Sequence, residues 1–433
     1  MLTQYFSGRT RRTDAIVLIS LISTVFVFES CLATIWSSYG VLAQYDVIFD
    51  SDPIHWQSTF ANGWSTGGFN HPLLTYYFSI PLRAASTILS ALGLTTDPLL
   101  FREQVALYIA PLSTALKAAC LYVTFRILGL NAVGSIAATG FGVLSFSSVV
   151  FGAIPSSYAI TGFAFSLILL ITVHRGLRTS WVGFVSMFVA GVFSVGITSS
   201  NIIQFGFMNW SSRLMRDGKP LSALAKAIVL SVMVLVVALS SSYLFGKFRS
   251  SDEASYYFVM SKSYVERFKP TTSEQIENVL RFPERVARTF IPTSPYEKNN
   301  EVSIKQNKRV KIEFTYNTIE FGLSSFILWV VGVGIFVGGT LIAYRAGGAW
   351  RCLGLGSAAT VLTFGALYSW FGLNTYLFSQ AWQVPCMVLL AAWFNLPFFR
   401  TKLGNVCVVA GLLALVVGDL YVLSIMNQSM SFG

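Results

Sequence analysis

Three aspartates lie within seven residues early in the chain, at Asp46, Asp50 and Asp52. Two of the chain's three histidines, His55 and His71, follow in the same polar and aromatic stretch. A carboxylate beside a substrate hydroxyl can remove its proton as a general base, and a carboxylate can also help to bind a metal-pyrophosphate. The alternative is that these are ordinary solvated acids of a loop.

The composition indicates the solvent that surrounds this stretch. Hydrophobic residues make up 54% of the 433 residues and charged residues only 11%, whereas soluble domains carry roughly 25% charged residues. Apolar runs of about 20 residues, the length that crosses a bilayer core, recur along the chain. Because these runs are continuously apolar and do not alternate, they indicate helices and not barrel strands. The sequence therefore predicts an all-α, polytopic transmembrane bundle.

The basic residues predict the topology of this bundle. Although the net charge is +11, the basic residues lie at the junctions of apolar runs, which is typical of cytoplasmic loops and does not indicate a nucleic-acid partner. Arg11 and Arg12 precede the first run, so the N-terminus is expected in the cytoplasm. The expected location is the bacterial plasma (inner) membrane, as an integral multi-pass protein. About eleven spans are expected. They are Asp14–Ser37, Glu103–Tyr122, Ala132–Val150, Tyr158–Val173, Trp181–Gly196, Ile202–Trp210, Leu221–Leu244, Phe321–Tyr344, Cys352–Tyr368, Phe378–Phe394 and Asn405–Ile425.

The segment His71–Leu94 is apolar enough to span, but it contains Pro72, Pro81 and Arg83. If it crossed, every later basic cluster would move to the outer side. Charge parity therefore predicts a helix that lies at the outer interface. The expected organisation is an N-terminal transmembrane module (1–246) with an acidic outer loop (39–70) and the interfacial helix (71–94), an outer-face loop or cap region (247–320) and C-terminal transmembrane helices (321–433).

Two later stretches carry groups suited to a sugar-phosphate. Arg281, Arg285 and Arg288 have the spacing of one helix face, although Pro283 interrupts the run. Arginine forks bind phosphate well, and the alternative is a solvated face balanced by nearby glutamates. The stretch 374–383 is polar for a membrane helix and would line a sugar pocket or form an aromatic belt.

One acid lies inside the first span. Glu29 lies within an otherwise mostly apolar run. An ionisable residue at that depth is costly and is often functional. The alternative is that Glu29 pairs with the polar face of a neighbouring helix.

The order of the motifs resembles the GT-C superfamily of polytopic membrane glycosyltransferases, in particular its family-39-like members. The matching residues are Asp50 and Asp52 after span one, and His71-Pro72-Leu73 at the head of the interfacial helix. Phe125–Gly129 is similar to an Arg-x-Leu-Gly turn of that superfamily, and Gly196–Asn201 to a Gly-x-Thr-x-x-Asn turn. The likeness covers the N-terminal half of the chain, and the C-terminal half in layout only.

The resemblance implies a hexosyl or pentosyl transferase. It would move a sugar from a polyprenyl-phosphate donor to a glycan, lipid or protein acceptor on the non-cytoplasmic face, among membrane lipids. Asp50 or Asp52 would be the general base. Ser156 and Ser157 stand where relatives often have an acid, so no firmly bound metal is predicted and a divalent ion is left open. The expected substrate-binding residues are His55, His71, Asn201, Asn374, Tyr376, Gln380, Arg281, Arg285 and Arg288.

Two functions without catalysis remain as alternatives. A transporter or flippase of a lipid-linked or polar solute would use the same polar groups without a base. The sequence has no evident internal repeat, which many transporters have. A scaffold subunit of an envelope-assembly complex is the other alternative.

Overall fold

The computed structural model describes residues 8–43, 48, 51, 53–62, 71–177, 181–249, 271–293, 296–300, 311–315, 322–371 and 379–431. These residues form α-helices and one two-stranded antiparallel sheet, in which β1 (Tyr296–Asn300) pairs with β2 (Lys311–Thr315). The helices in chain order are α1 (Gly8–Ser38), α2 (Pro53–Asn62), α3 (Leu74–Ala91), α4 (Pro98–Leu107), α5 (Ile109–Ile127), α6 (Ala132–Val143), α7 (Phe146–Ala153), α8 (Ser157–Leu177), α9 (Trp181–Ile197), α10 (Ile202–Asp217), α11 (Pro220–Arg249), α12 (Thr272–Leu280), α13 (Phe282–Phe290), α14 (Leu323–Val333), α15 (Gly339–Ala346), α16 (Gly348–Phe371), α17 (Ser379–Trp393) and α18 (Lys402–Ser431).

Seven helical segments among the described residues are long and apolar enough to cross a membrane. The pair α6 and α7 passes the same test together but bends by 60° at its break, and would be an eighth span. The prediction of a multi-pass helical membrane protein is confirmed at this level. The seven are Arg12–Ser38, Pro98–Ile127, Ser157–Leu177, Pro220–Phe245, Leu323–Ala346, Gly348–Ser369 and Lys402–Gln428.

The predicted count of about eleven spans is not confirmed. Three of the expected spans correspond to short helices, namely α9 with 17 residues, α10 with 16 and α17 with 15. A straight span needs about 20 residues. Helix α17 also contains two polar residues, Gln380 and Gln383. Both are buried by protein, so this helix is not surrounded by lipid at these positions.

The outward faces of the long helices are apolar. Val229 and Val236 on α11 are 61% and 54% exposed, and Val417 on α18 is 66% exposed. Such stripes on several helices would be unfavourable in water and are the expected surface against lipid tails. The interior is filled around α5, α8 and α17 by a core cluster that includes Phe125 and Phe165.

Helix α3 lies within the segment predicted to rest at the interface. It covers Leu74–Ala91, contains Pro81, and is not among the segments that meet the criteria for a span. It packs against α2 and α4. Its entry is fixed by a hydrogen bond from the Leu73 amide to the carbonyl of Gly196, 2.7 Å long. Its depth in a membrane stays a prediction.

The segment 271–293 of the predicted cap region is a pair of short helices. Pro283 splits the run as expected, because α12 ends at Leu280 and α13 begins at Phe282. Helix α13 packs against α14, α17 and α7. Gly332 of α14 and Gly365 of α16 allow the close approach, since a Cβ at either would overlap Pro283 or Phe282. The segment is therefore packed into the bundle.

The Arg-x-Leu-Gly turn is held by its arginine. Arg126 binds Asp14 of α1 with both fork nitrogens, at 2.9 and 3.2 Å, and donates to the Leu130 carbonyl at 2.6 Å. The Tyr122 hydroxyl also donates to Asp14. The arginine of this motif therefore joins α1 to the end of α5.

Candidate functional site

Four of the predicted site residues lie outside the described residues, namely Asp50, Asp52, Asn374 and Tyr376. Two neighbours of the acids are described. Ser51 is buried and its amide donates to the Ile48 carbonyl at 3.0 Å. Helix α2 then begins at Pro53, directly after the acidic run.

Helix α2 carries His55 and Trp56 to a ring cluster with His71. The centroid of the Trp56 ring lies 5.5 Å from that of His55 and 4.8 Å from that of His71, both edge-on. The cluster joins the residues that follow the acidic run to the His71-Pro72-Leu73 element. Two histidines predicted to bind substrate are thereby brought together.

His71 also binds the Gly196–Asn201 turn. Its Nδ1 donates to the Ile197 carbonyl at 2.7 Å, and the Thr198 hydroxyl lies 3.3 Å from the same nitrogen. A carbonyl only accepts, so Nδ1 carries the proton and Nε2 of the neutral ring is an acceptor. Burial lowers the pKa of His71 to about 4; the bond to Ile197 opposes this shift and the nearby His55 adds to it. His71 is therefore neutral at neutral pH.

The two polar residues at the end of this turn have different roles. Asn201 is buried, and its side-chain amide donates to the Ser194 carbonyl at 2.8 Å, so it secures the end of α9. The Ser200 hydroxyl lies 3.3 Å from the hydroxyl of Tyr368 on α16. The Tyr368 ring centroid is 6.1 Å from that of Trp382. The turn thus connects α9 to an aromatic group between α16 and α17.

Two of the three predicted phosphate-binding arginines are already paired. Glu284 lies between Arg281, at 2.9 Å, and Arg288, at 2.7 Å. Arg281 also reaches Glu277 at 3.3 Å. Burial opposes ionisation of Glu284, but hydrogen bonds and charge from both arginines outweigh it and lower its pKa. The glutamates therefore balance the positive charge of Arg281 and Arg288, as the alternative to phosphate binding predicted. Both arginines are buried, however, and do not form a solvated face.

Arg285 is the arginine with a donor to spare. Its Nη2 donates to Asn278 Oδ1 at 2.6 Å. Its Nη1 is buried and has no hydrogen-bond partner among the described residues. Burial lowers the pKa of Arg285 to about 10, so it still carries its charge at neutral pH. Asn278 in turn donates to the Ser369 carbonyl at 3.4 Å, which links α12 to α16.

Gln380 belongs to a second polar group, inside the bundle, around Lys117 of α5. The Lys117 ammonium donates to Ser148 Oγ at 2.5 Å, to Gln380 Oε1 at 3.2 Å and to Gln383 Oε1 at 3.0 Å. Gln380 Nε2 donates to Ser147 Oγ at 3.0 Å. We call this group, made of Lys117, Ser147, Ser148, Gln380 and Gln383, the polar centre.

The polar centre lies at the break between α6 and α7. The carbonyl of Gly142 accepts there from Ser145 Oγ at 2.7 Å, from Ser148 Oγ at 2.8 Å and from Gln383 Nε2 at 3.2 Å. Ser145 caps α7. Side chains can replace backbone partners in this way where a helix is interrupted inside a membrane. Trp382, between the two glutamines, donates to Thr289 Oγ1 of α13 at 3.0 Å.

Two acids lie beside the polar centre. Glu29 is 1% exposed, packs against Gly152 of α7, and interacts electrostatically with Lys117 and Asp419. Sequence reasoning found Glu29 but missed Lys117 and Asp419. The available signal was a single charged residue within each of two long apolar runs.

A cleft of about 410 Å³ lies between α1 and α18. Its walls include Phe28 and Leu420, which adjoin Glu29 and Asp419 in sequence. Ser424 and Asn427 add polar atoms farther along α18. The cleft is therefore mostly apolar, with a few polar side chains from α18.

Within the described residues, no three or more histidine, cysteine, aspartate or glutamate side chains are grouped so that they could hold a metal ion. Asp50 and Asp52 lie outside those residues, so the divalent ion left open there stays untested.

Comparison with known proteins assigns no relative. No family model matches the chain, and no curated protein matches it significantly. The resemblance to the GT-C superfamily therefore rests on the motifs alone.

Proposed function

We propose that this chain is a membrane glycosyltransferase of the GT-C type, which moves a sugar from a polyprenyl-phosphate donor to an acceptor on the non-cytoplasmic face. One observation supports it above the others. His71 contacts Trp56 on one side and Ile197 on the other. Two motifs that the resemblance identified, the His-Pro-Leu element and the Gly196–Asn201 turn, therefore meet at one place, together with helix α2, which follows the acidic run in sequence.

A line of polar contacts extends from this place to the spare arginine. Thr198 lies beside His71, and Ser200, two residues later, contacts Tyr368. The next residue, Ser369, accepts from Asn278, and Asn278 accepts from Arg285. The substrate-binding group proposed at His71 and the phosphate-binding group proposed at Arg285 therefore lie at two ends of one connected set of residues.

The proposed reaction is a single displacement. Asp50 or Asp52 accepts the proton of the acceptor hydroxyl, whose oxygen forms a bond to the anomeric carbon. The bond from that carbon to the phosphate oxygen breaks, and the polyprenyl phosphate leaves with the electron pair. The anomeric configuration is inverted. Arg285 stabilises the charge on the leaving phosphate, because its Nη1 is unengaged among the described contacts, whereas Arg281 and Arg288 are bound to Glu284.

His71 would orient a sugar in this scheme. Its neutral ring has Nδ1–H committed to Ile197, which leaves Nε2 to accept a hydrogen bond from a sugar hydroxyl. The proposal includes the topology of the family: a cytoplasmic N-terminus, the bacterial plasma membrane, and the short helices α9, α10 and α17 as additional membrane elements.

The test is transfer by the purified full chain in lipid nanodiscs, with polyprenyl phosphates that carry a radiolabelled hexose or pentose. We expect Asp50→Asn or Asp52→Asn to lower the rate about 100-fold or more, the usual contribution of a general base. Asp46→Asn, in the same loop, is the matched control and should retain the rate. Full transfer by both variants, or no transfer by the unaltered chain with any such donor, overturns the proposal.

A carrier of lipid-linked or polar solutes is the second candidate, and the polar centre favours it. Interrupted helices around polar groups are typical of transporter sites, and α6 and α7 meet at a 60° bend beside Lys117. The same nanodisc preparation, fused into liposomes, distinguishes the two functions. Movement of the labelled lipid between leaflets without any transfer product would support the carrier.

A further inference from the structure

Glu29, Lys117 and Asp419 are buried inside three membrane segments, on α1, α5 and α18. Their side chains belong to residues that are 1%, 1% and 3% exposed. Charges at this depth are costly and persist where they are compensated or used. The proposed transferase reaction uses none of the three, so they need a separate explanation.

The contacts of Lys117 fit its charged form. The oxygens of Gln380 and Gln383 that it contacts are amide oxygens, which only accept. The hydroxyl proton of Ser148 is directed to the Gly142 carbonyl, so Ser148 also accepts from Lys117. Three acceptors need three N–H donors, and only the ammonium form of lysine has three.

Unlike Lys117, the two acids lack hydrogen-bond partners for most of their carboxyl oxygens among the described residues. Glu29 Oε2 and both carboxyl oxygens of Asp419 are buried and have no hydrogen-bond partner among the described residues. Lys117 supplies charge to Glu29 but no hydrogen bond, because its three donors are engaged by the polar centre. If both acids were ionised, two negative charges would face one positive charge in a low-dielectric interior.

Among the described residues, the elements around the two acids do not supply a second positive charge. Helix α7 presents Gly152 to Glu29 and has no ionisable side chain in its sequence. On α5, the other cation is Arg126, which is paired with Asp14. Gly418 of α18 packs on Pro292, which follows α13. The charged residues of α13 are bound elsewhere: Arg288 to Glu284 and Thr293, Glu284 to Arg281, and Arg285 to Asn278.

We propose that Glu29 and Asp419 bind one proton between them inside the bundle, with the Lys117 ammonium as their fixed counter-charge. One proton makes the group neutral overall and gives the pair a donor for one of its unpartnered oxygens. A proton fits better than a metal cation, because the ammonium repels a second cation and only two carboxyl groups are present. The unpartnered carboxyl oxygens of both acids and the single positive charge of Lys117 are the observations that carry this assignment.

The site has a mechanical consequence. Loss of the proton leaves two like charges on α1 and α18, with α7 packed against Glu29 through Gly152. The repulsion acts on the three helices that meet there. The packing of α1, α7 and α18 is therefore sensitive to protonation whether the chain transfers sugars or carries a solute.

Infrared difference spectroscopy of the full chain in nanodiscs tests the proposal through the carbonyl stretch of a protonated carboxyl group. The unaltered chain should show this band at neutral pH. Glu29→Gln and Asp419→Asn should each abolish it, because the one remaining carboxylate is then balanced by Lys117. Lys117→Met should roughly double it, because both acids are then protonated. Asp217→Asn, at a partly exposed ion pair with Arg216, is the control and should leave it unchanged.

Several outcomes overturn the proposal. One is the absence of the band in the unaltered chain, a measurement that needs no variant to fold. Another is a band that survives both single substitutions at the acids. A band that disappears when sodium is added at constant pH would assign the site to a cation instead of a proton.

Discussion

Nδ1 of His71 lies 2.7 Å from the carbonyl oxygen of Ile197, a residue 126 positions later in the chain. The bond holds the start of α3 against the end of α9, beside the hydrogen bond from Leu73 to Gly196. It also fixes the tautomer of the ring. Position and tautomer of His71 are therefore set by the same contact, whereas burial keeps the ring neutral, and the first prediction follows from that burial.

The stability of the protein should fall at acidic pH because of His71. Its folded-state pKa is about 4, below the ordinary 6.5, since burial disfavours the charged ring. Its contribution is therefore complete above about pH 6.5 and is lost as pH falls towards 4, by up to about 3 kcal/mol. Thermal denaturation midpoints in detergent should show the slope, and His71→Gln should flatten it. His174→Gln is the control, and parallel profiles for all three chains would refute the assignment.

Glu284→Gln should destabilise the protein by about 3–5 kcal/mol, because it leaves the buried Arg288 without a carboxylate and Arg281 with only the exposed Glu277. Glu277→Gln is the matched control. Its side chain is 61% exposed, so the change should cost less than about 1 kcal/mol. Chemical denaturation in mixed micelles measures both. Equal effects would mean that the buried pairs contribute no more than the exposed one.

Gly332→Ala should separate α13 from α14. A Cβ there would lie 1.8 Å from the backbone oxygen of Pro283, which has no side-chain freedom to move aside. The expected cost is about 1–3 kcal/mol. Gly334→Ala, two residues later, meets no atom within 4 Å and should be neutral. Proteolysis of the segment 271–293, followed by mass spectrometry, should be faster in the first variant only.

Arg285→Gln should lower sugar transfer about 100-fold, if this residue stabilises the leaving phosphate as proposed. The loss should appear in kcat and be independent of acceptor concentration. Arg351→Gln is the control, because Arg351 lies over the Tyr344 ring outside the proposed site. An unchanged kcat in Arg285→Gln would remove the arginine from the reaction without affecting the role of the acids.

Local patterns predicted part of this structure. Pro283 splits the arginine run where expected, and α3 lies inside the predicted segment, because proline geometry and polarity act over a few residues. Charge balance at Arg281 was also foreseeable, since its partner Glu284 is only three residues away. Short-range rules were sufficient for these features.

The polar centre could not be predicted in the same way. Lys117 binds Ser148 and Gln383, which are 31 and 266 residues away. No spacing in the sequence joins such distant positions, and a lone lysine in an apolar run does not reveal its partners. The expected count of about eleven spans stays unconfirmed for a related reason: hydropathy does not show that nearly every side chain of α17 is buried by protein.

The bend between α6 and α7 imposes an order on biogenesis. Beside it, two of the three hydrogen-bond acceptors of the Lys117 ammonium, Gln380 and Gln383, are synthesised 263 and 266 residues later. During insertion, the early hairpin must therefore wait in the membrane with an incomplete set of hydrogen bonds until the penultimate helix arrives. We expect a chain truncated before residue 379 to be degraded rapidly in cells. Co-expression of the missing C-terminal piece should restore its lifetime, and a stable truncated chain would contradict this order.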